Sequence, residues 1–432
     1  MSADWQNRKH GGIKMTKLIQ EIKKALDGKS IVILGFGREG KATYHFVKKY
    51  VNYKELAIAD ERQAEVPEKV YYGTDYCEGL NDFDVVIKSP GISFKELKGK
   101  VDFEKVTSQT ELVLNFYRKN MIGITGTKGK STTSSLIYAI LQEAKVNTRL
   151  VGNIGIPIFE CLEEITDETV LVCEMSSHQL EKIVVSPHIG VLLNLFEEHL
   201  DHYESYEEYQ LSKVNIFRHQ SAEDFVVYNA ENELTVKYVE SYAKGKKIAF
   251  PFPIAIPSHL LGKHNQNNIS AAVAVAKLLG IPKEVWEKAV GDFKGLPHRL
   301  EFVGTYEGIR YYNDSISTVP EATMAAVESL KEVDTLILGG MDRGVHYDSL
   351  IAFLNEGRVR NIILAYETGK RIAKGLNCSG VYLVEDLEEA VNVAKKVTQK
   401  DKICLLSPAA ASYGYFKNFE ERGERFKEWI KS

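Results

Sequence analysis

Short apolar runs rich in β-branched residues alternate with segments of helical length along the whole chain, the pattern of α/β layers. Ser30-Ile-Val-Ile-Leu34 reads as a strand buried on both faces, with a helix predicted over 38–50. Residues 56–59 and 84–88 read as the next strands of a first unit that ends near 112. Met121-Ile-Gly-Ile-Thr125 opens a second unit and runs through a Gly-rich turn into a helix predicted over 131–144. Residues 170–173 and 190–194 read as further parallel strands. The first ends at Glu174, and the second leads to Glu197-Glu198-His199. Ligands of doubly wound sheets gather at the carboxyl ends of strands, so both groups are placed for chemistry. A third unit follows Arg299, with strands over 334–338, 361–364, 380–384 and 402–406 and amphipathic helices between them.

Composition narrows the classes. At 432 residues the chain exceeds one ordinary core, and 44% hydrophobic with 26% charged residues is the mixture of a soluble globular protein. A net charge of −4 supplies no global basic field, so neither nucleic acid nor membrane is an expected partner. Any phosphate must be held by a local site. The five cysteines form no metal-ligand spacing and no disulfide framework, which fits a reducing cytoplasm. No apolar run reaches the roughly 18 residues of a membrane span, and residues 1–12 lack the apolar segment of a signal peptide. A cytoplasmic monomer is the expectation.

Gly123-Ile-Thr-Gly-Thr-Lys-Gly-Lys-Ser-Thr132 lies between a strand and a helix. Gly126 and Gly129 let backbone amides turn towards a phosphate, and the helix N-terminus adds its positive end. Lys130 can reach the β- and γ-phosphates, and the Ser131 hydroxyl can ligate Mg²⁺. The pattern departs from a standard phosphate loop in one place, where Ile124 replaces the leading glycine. Glu174 closes an apolar strand and could complete a Mg²⁺ shell. His199 could ligate a second ion, and Lys213 follows in a stretch predicted helical over 206–217. Singly, these also read as a cap neighbour, a surface histidine and a solvated lysine. The first unit carries a rival signal. Gly35-Phe-Gly-Arg-Glu-Gly40 with Asp60 at the end of the next strand resembles a dinucleotide fingerprint, which would make the chain an NAD-dependent oxidoreductase.

Taken together, the motifs resemble the Mur ligase family, and within it the glutamate-adding members. The matching stretches are Gly126-Thr-Lys-Gly-Lys-Ser-Thr132, Gly152-Asn-Ile-Gly155, Glu174-Met-Ser-Ser-His-Gln-Leu180, Glu198-His-Leu-Asp201 and Lys213. Further on come His264-Asn265 with Asn268, Gly295-Leu-Pro-His-Arg299, Asn313-Asp-Ser315, Ser407-Pro-Ala-Ala-Ala-Ser412 and Phe416-Lys-Asn-Phe419. The resemblance implies an α/β fold of three domains: Rossmann-like UDP-substrate binding (1–112), a P-loop ATPase with a parallel sheet (113–300), and Rossmann-like amino-acid binding (301–432). It implies a ligase that joins D-glutamate to UDP-N-acetylmuramoyl-L-alanine through an acyl phosphate, in peptidoglycan synthesis.

The same resemblance implies site roles. Gly126, Thr127, Lys128, Gly129, Lys130, Ser131, Thr132, Asn268, Arg299 and Asp314 would bind ATP, the last through its ribose. Ser131 and Glu174 would hold one Mg²⁺, and His199 a second, bridged by a carbamate on Lys213. Gly37, Arg38, Glu39, Asp60, Arg62 and Asn153 would lie around the UDP substrate, and Thr318, Arg343, Ser412 and Phe419 around glutamate. Two positions depart from the family pattern. Ile316-Ser317-Thr318-Val319 stands in place of Lys-Ala-Thr-Asn, and Arg343 in place of lysine. Both concern the amino-acid side, so L-glutamate is the near alternative, with a folylpolyglutamate synthetase-like ligase more distant.

Overall fold

The computed structural model describes residues 15–198, 202–254, 256–260 and 262–432. Each of the three predicted layers is a sheet of its own. The first contains β1 (Ser30–Leu34), β2 (Glu55–Asp60), β3 (Lys69–Tyr72), β4 (Val85–Lys88) and β5 (Val106–Thr107), all parallel, in the order β3-β2-β1-β4-β5. Its central strand β1 is buried throughout, as a strand covered by helices on both faces must be. The turn after β1 explains the Gly-rich signature. A Cβ on Gly40 would lie 1.9 Å from the Gly35 carbonyl oxygen, so only glycine lets helix Arg38–Tyr50 pack this closely.

The second sheet holds β6 (Met121–Thr125), β7 (Thr148–Gly152), β8 (Val170–Glu174), β9 (Ile189–Leu192), β10 (Phe225–Asn229) and β11 (Lys246–Phe250). They too are parallel, in the order β11-β10-β9-β6-β8-β7, with Ile124 opposite Glu174 in the β6–β8 register. The third holds β12 (Glu301–Tyr306), β13 (Ile309–Asn313), β14 (Val333–Gly339), β15 (Asn361–Ala365), β16 (Val381–Val384) and β17 (Ile403–Leu406), ordered β12-β13-β17-β14-β15-β16. Only β12 and β13 are antiparallel. Their two-residue turn has Glu307 at φ 51° and Gly308 at φ 83°, the left-handed pair that a tight hairpin needs.

The chain divides into two compact units, Met1–Ile256 with His264–Val290, and Pro257–Lys263 with Gly291–Ser432. The first carries two sheets and the second one. The predicted strands and helices are all present, with ends shifted by a residue or two. Seven strands escaped the sequence reading: β3, β5, β7, β10, β11 and both arms of the hairpin, β12 and β13. Edge strands such as β11, Lys-Lys-Ile-Ala-Phe, are mostly exposed and lack the apolar run that marks a central strand. All five cysteines are free thiols. Among the described residues, no helix is long and apolar enough to cross a membrane.

Candidate functional site

The phosphate loop lies between β6 and helix Lys130–Glu143. Gly129 caps that helix at φ 88°, and a Cβ there would come within 2.4 Å of Asn268 Oδ1. Glycine is therefore required twice, by conformation and by the side chain that presses on it. Thr133 donates to Asn268 Oδ1 at 3.3 Å, while Asn268 Nδ2 donates to Asn265 Oδ1 at 3.0 Å. Asn268, predicted from afar in sequence, is thus seated against the loop.

Asn194, just past β9, pins the other side. Its carbonyl accepts the Thr127 amide at 2.9 Å, its Oδ1 accepts the Lys128 amide at 2.8 Å, and its Nδ2 donates to Lys128 O at 2.9 Å. Thr127 Oγ1 lies 2.9 Å from the buried Tyr209 hydroxyl and accepts the Phe196 amide. Lys128 Nζ pairs with Glu198 at 2.8 Å on the surface, where such a pair contributes little. Ser131 is half-buried in the first turn, followed by buried Thr132.

Two lysines meet at one carbonyl. Lys130 Nζ donates to Gly126 O at 2.9 Å and to Thr127 O at 2.9 Å, and Lys213 Nζ donates to Gly126 O at 3.1 Å. Lys213 stands on helix Tyr206–Arg218, 2% exposed, with its Nζ 5.0 Å from the Tyr209 ring centre. Burial first, then the Lys130 charge, holds its ammonium well below the usual lysine range. One strand over, Glu174 is 1% exposed at the end of β8. Its Oε1 accepts Asn153 Nδ2 at 2.7 Å and its carbonyl accepts the Asn153 amide at 2.9 Å, whereas buried Oε2 has no partner. A buried carboxylate oxygen without a donor is costly unless something cationic meets it. The donor set of Glu174, Ser131 and a lysine disposed to lose its proton fits a hard divalent cation. His199 lies outside the described residues.

A second concavity of about 480 Å³ lies over the carboxyl ends of β1, β2 and β4, lined by Gly37, Arg38, Glu39, Asp60 and the Ser89–Ile92 turn. Asp60 shapes it: Oδ2 accepts the Phe36 amide at 2.6 Å and Oδ1 the Arg62 amide at 2.9 Å. Both oxygens already hold backbone. The Arg62 side chain is exposed. Glu39 turns towards the second sheet, where Gln179 Nε2 donates to its Oε1 at 2.8 Å, and burial raises its pKa.

In the second unit, Asp314 is buried at the end of β13, accepting from Leu300 N at 3.1 Å, Ser317 Oγ at 2.6 Å and Ser407 Oγ at 2.8 Å. Burial pushes its carboxyl up to about 6. As placed it ties three loops together. Arg299 is half-buried with its Nε unpartnered. Met341 and Ala411 bridge the loops carrying exposed Arg343 and buried Ser412. The Phe419 carbonyl accepts Ser315 Oγ at 2.8 Å, and Thr318 is half-buried just before helix Pro320–Leu330. Fully buried Arg422 binds Ser315 Oγ, Ser315 O and Ala410 O at 3.0, 2.8 and 3.0 Å, joining the Ser315 and Ala410 loops. Sequence reasoning passed over Asn194, Tyr209, Gln179 and Arg422. For Asn194 a signal existed, a polar residue ending an apolar strand beside the phosphate loop. Arg422 gives none, because a buried arginine reads as a solvated one.

Comparison with known proteins agrees over most of the chain. The pattern of the Mur ligase middle domain matches residues 124–252, and that of the Mur ligase, glutamate ligase domain matches 298–410. The chain is 33% identical to UDP-N-acetylmuramoylalanine–D-glutamate ligase of Acetivibrio thermocellus, covering 97% of this chain and 99% of that one. It is 36% identical to the like-named protein of a Geobacillus species over 80% and 82%. Among solved structures, UDP-N-acetylmuramate-alanine ligase MurC of Thermotoga maritima superposes with a TM-score of 0.60 at 17% identity, covering 93% of this chain and 99% of that one. The MurF ligase of Thermotoga maritima in complex with ADP gives 0.59 at 15% identity, covering 96% and 98%. At such identities these two speak for the fold alone.

Proposed function

We propose the activity from a premise now in place: the chain belongs to the Mur ligase family. The protein is an ATP-dependent, ADP-forming ligase that adds D-glutamate to UDP-N-acetylmuramoyl-L-alanine for peptidoglycan. The relatives' names support this over hydride transfer, for which a phosphate loop and a buried Glu174 have no use. The observation that carries the reading is the unpartnered Glu174 Oε2 beside a loop where Lys130 and Lys213 share the Gly126 carbonyl.

A carboxylate resists an amine because it has no leaving group, so its oxygen must first take the γ-phosphoryl group of ATP. Lys130 and the loop amides neutralise the phosphates as they approach the anionic acid. The acyl phosphate forms, ADP departs, and the glutamate nitrogen attacks the acyl carbon. The tetrahedral adduct collapses to an amide as phosphate leaves with the acyl C–O bond electrons. Mg²⁺, when bound, would supply positive charge that offsets the repulsion between the phosphates and the anionic acid. Ser131 and Glu174 would hold one ion, and His199 with Lys213 a second. Deprotonated Lys213 can take CO₂ at Nζ, losing a proton and becoming an anionic oxygen ligand instead of a repelling cation.

Asn268, Arg299 and Asp314 complete the ATP contacts in this reading. Gly37, Arg38, Glu39, Asp60, Arg62 and Asn153 serve the UDP substrate, and Thr318, Arg343, Ser412 and Phe419 serve glutamate. The domain limits are 1–112, 113–300 and 301–432, and the protein acts as a cytoplasmic monomer. Arg343 in place of lysine offers a bidentate grip on a carboxylate. ADP release with UDP-N-acetylmuramoyl-L-alanine, comparing D- with L-glutamate, tests the assignment. Faster turnover with D-glutamate is expected; a preference for L-glutamate would transfer it to the other enantiomer.

A further inference from the structure

The first turn of helix Arg38–Tyr50 sends two adjacent side chains from the wall of the Gly-rich cleft to the two flanks of Glu174. Arg38 Nη2 donates to Gly155 O at 2.7 Å. Two residues earlier in that loop, Asn153 holds Glu174 through Oε1 and through its carbonyl. On the other flank, Glu39 Oε1 accepts from Gln179 Nε2 at 2.8 Å. Gln179 Oε1 accepts the Ser176 amide at 3.1 Å, and Ser176 Oγ accepts the Gln179 amide at 3.2 Å, a reciprocal capping box. Ser176 stands two residues after Glu174 in the loop that leaves β8. The side chains of Arg38 and Glu39 therefore clamp the Asn153 loop and the Ser176 loop, between which the carboxylate sits.

We propose that Arg38 and Glu39 are positioning residues that couple occupancy of the cleft to the placement of Glu174, so that the UDP substrate and the Mg²⁺–nucleotide strengthen each other's binding. This rests on the reading that the cleft takes the UDP moiety and that Glu174 faces the cation on ATP. A ligand that seats the Gly37–Arg38 turn fixes the start of the helix, and both clamps with it. Coupling of this kind is reciprocal: each ligand raises the other's affinity by the same factor. A direct contact predicts something different, a loss of UDP-substrate affinity alone.

The test is equilibrium binding to the full chain. The affinity for Mg²⁺ with a non-hydrolysable ATP analogue is measured with and without UDP-N-acetylmuramoyl-L-alanine. In the wild type the UDP substrate is expected to tighten nucleotide binding by about 5-fold or more. In the Arg38→Ala, Glu39→Ala double variant the factor falls to about 1, whereas loss of a direct contact alone would weaken UDP-substrate binding and leave the factor at its wild-type value. Glu39→Gln, which still offers an oxygen to Gln179, retains most of the coupling. The proposal is overturned if the wild type binds both ligands independently, or if the double variant keeps the full factor. Failure of the wild type to bind either ligand would instead remove the functional reading beneath it.

Discussion

Replacing Lys213 isolates the most unusual element of the site. Its Nζ lies 3.1 Å from the Gly126 carbonyl, which Lys130 also reaches at 2.9 Å, so a group built on Lys213 sits within the phosphate loop. Two unit charges about 4 Å apart interact by about 4 kcal/mol at an effective dielectric of about 20. Water entering the vacated place returns part of this, leaving about 2.7 kcal/mol, or about 100-fold in turnover. Lys213→Met preserves the volume and removes a buried amine whose ammonium form is disfavoured, so the variant should melt no lower than wild type. ADP release with all three substrates is the assay, and thermal melting shows that the variant folds. The expected result is a folded Lys213→Met protein at least about 100-fold slower, and a wild type that slows in CO₂-depleted buffer. A folded variant within about 3-fold of wild type would refute the carbamate reasoning.

Three further outcomes follow from the same geometry. Glu174→Gln keeps an oxygen for Asn153 but puts a neutral amide at the partnerless position, so turnover should fall about 100-fold with UDP-substrate affinity unchanged, as read by binding and rate together. Asn194→Ala removes two hydrogen bonds from Lys128 and should raise KM for ATP about 10-fold, about 1.4 kcal/mol, measured by initial rates. Lys88, buried at the end of β4, has its pKa lowered from 10.5 to about 8 by burial, against the pull of Glu181 and Glu39. Between those two values the unfolded chain binds more protons than the folded one, so stability rises with pH, by roughly 3 kcal/mol over the full window. Lys88→Met should flatten that rise in urea unfolding compared at about pH 7.5 and about pH 9.5.

Much of this site was legible because its carriers obey strong local rules. Met121–Thr125 is an apolar run that must be buried, and Gly126 and Gly129 punctuate it where the backbone turns; strand, loop and helix follow. Glu174 was conspicuous as a carboxylate ending an apolar strand, a costly position without a use. The roles of Asp60, Glu39 and Asp314 were less legible. Sequence marks each as an acid at the end of a strand or the start of a helix, but not which way the carboxylate points. Asp60 and Asp314 spend their oxygens on neighbouring loops, and Glu39, though it lines the cleft, spends Oε1 on Gln179 beside the second sheet. Edge strands such as β11 were hidden for a related reason, since pairing on one side leaves their residues half wet and free of an apolar pattern.

The central claim is that a carboxylate is phosphorylated here so that a nitrogen can displace phosphate from it. Its most direct measurement is ADP formation by the purified protein with substrates supplied singly, in pairs and all together. The account predicts sustained, stoichiometric ADP and amide only when ATP, UDP-N-acetylmuramoyl-L-alanine and glutamate are all present. ADP release at the same rate without the UDP substrate, or none with the complete set, would contradict it.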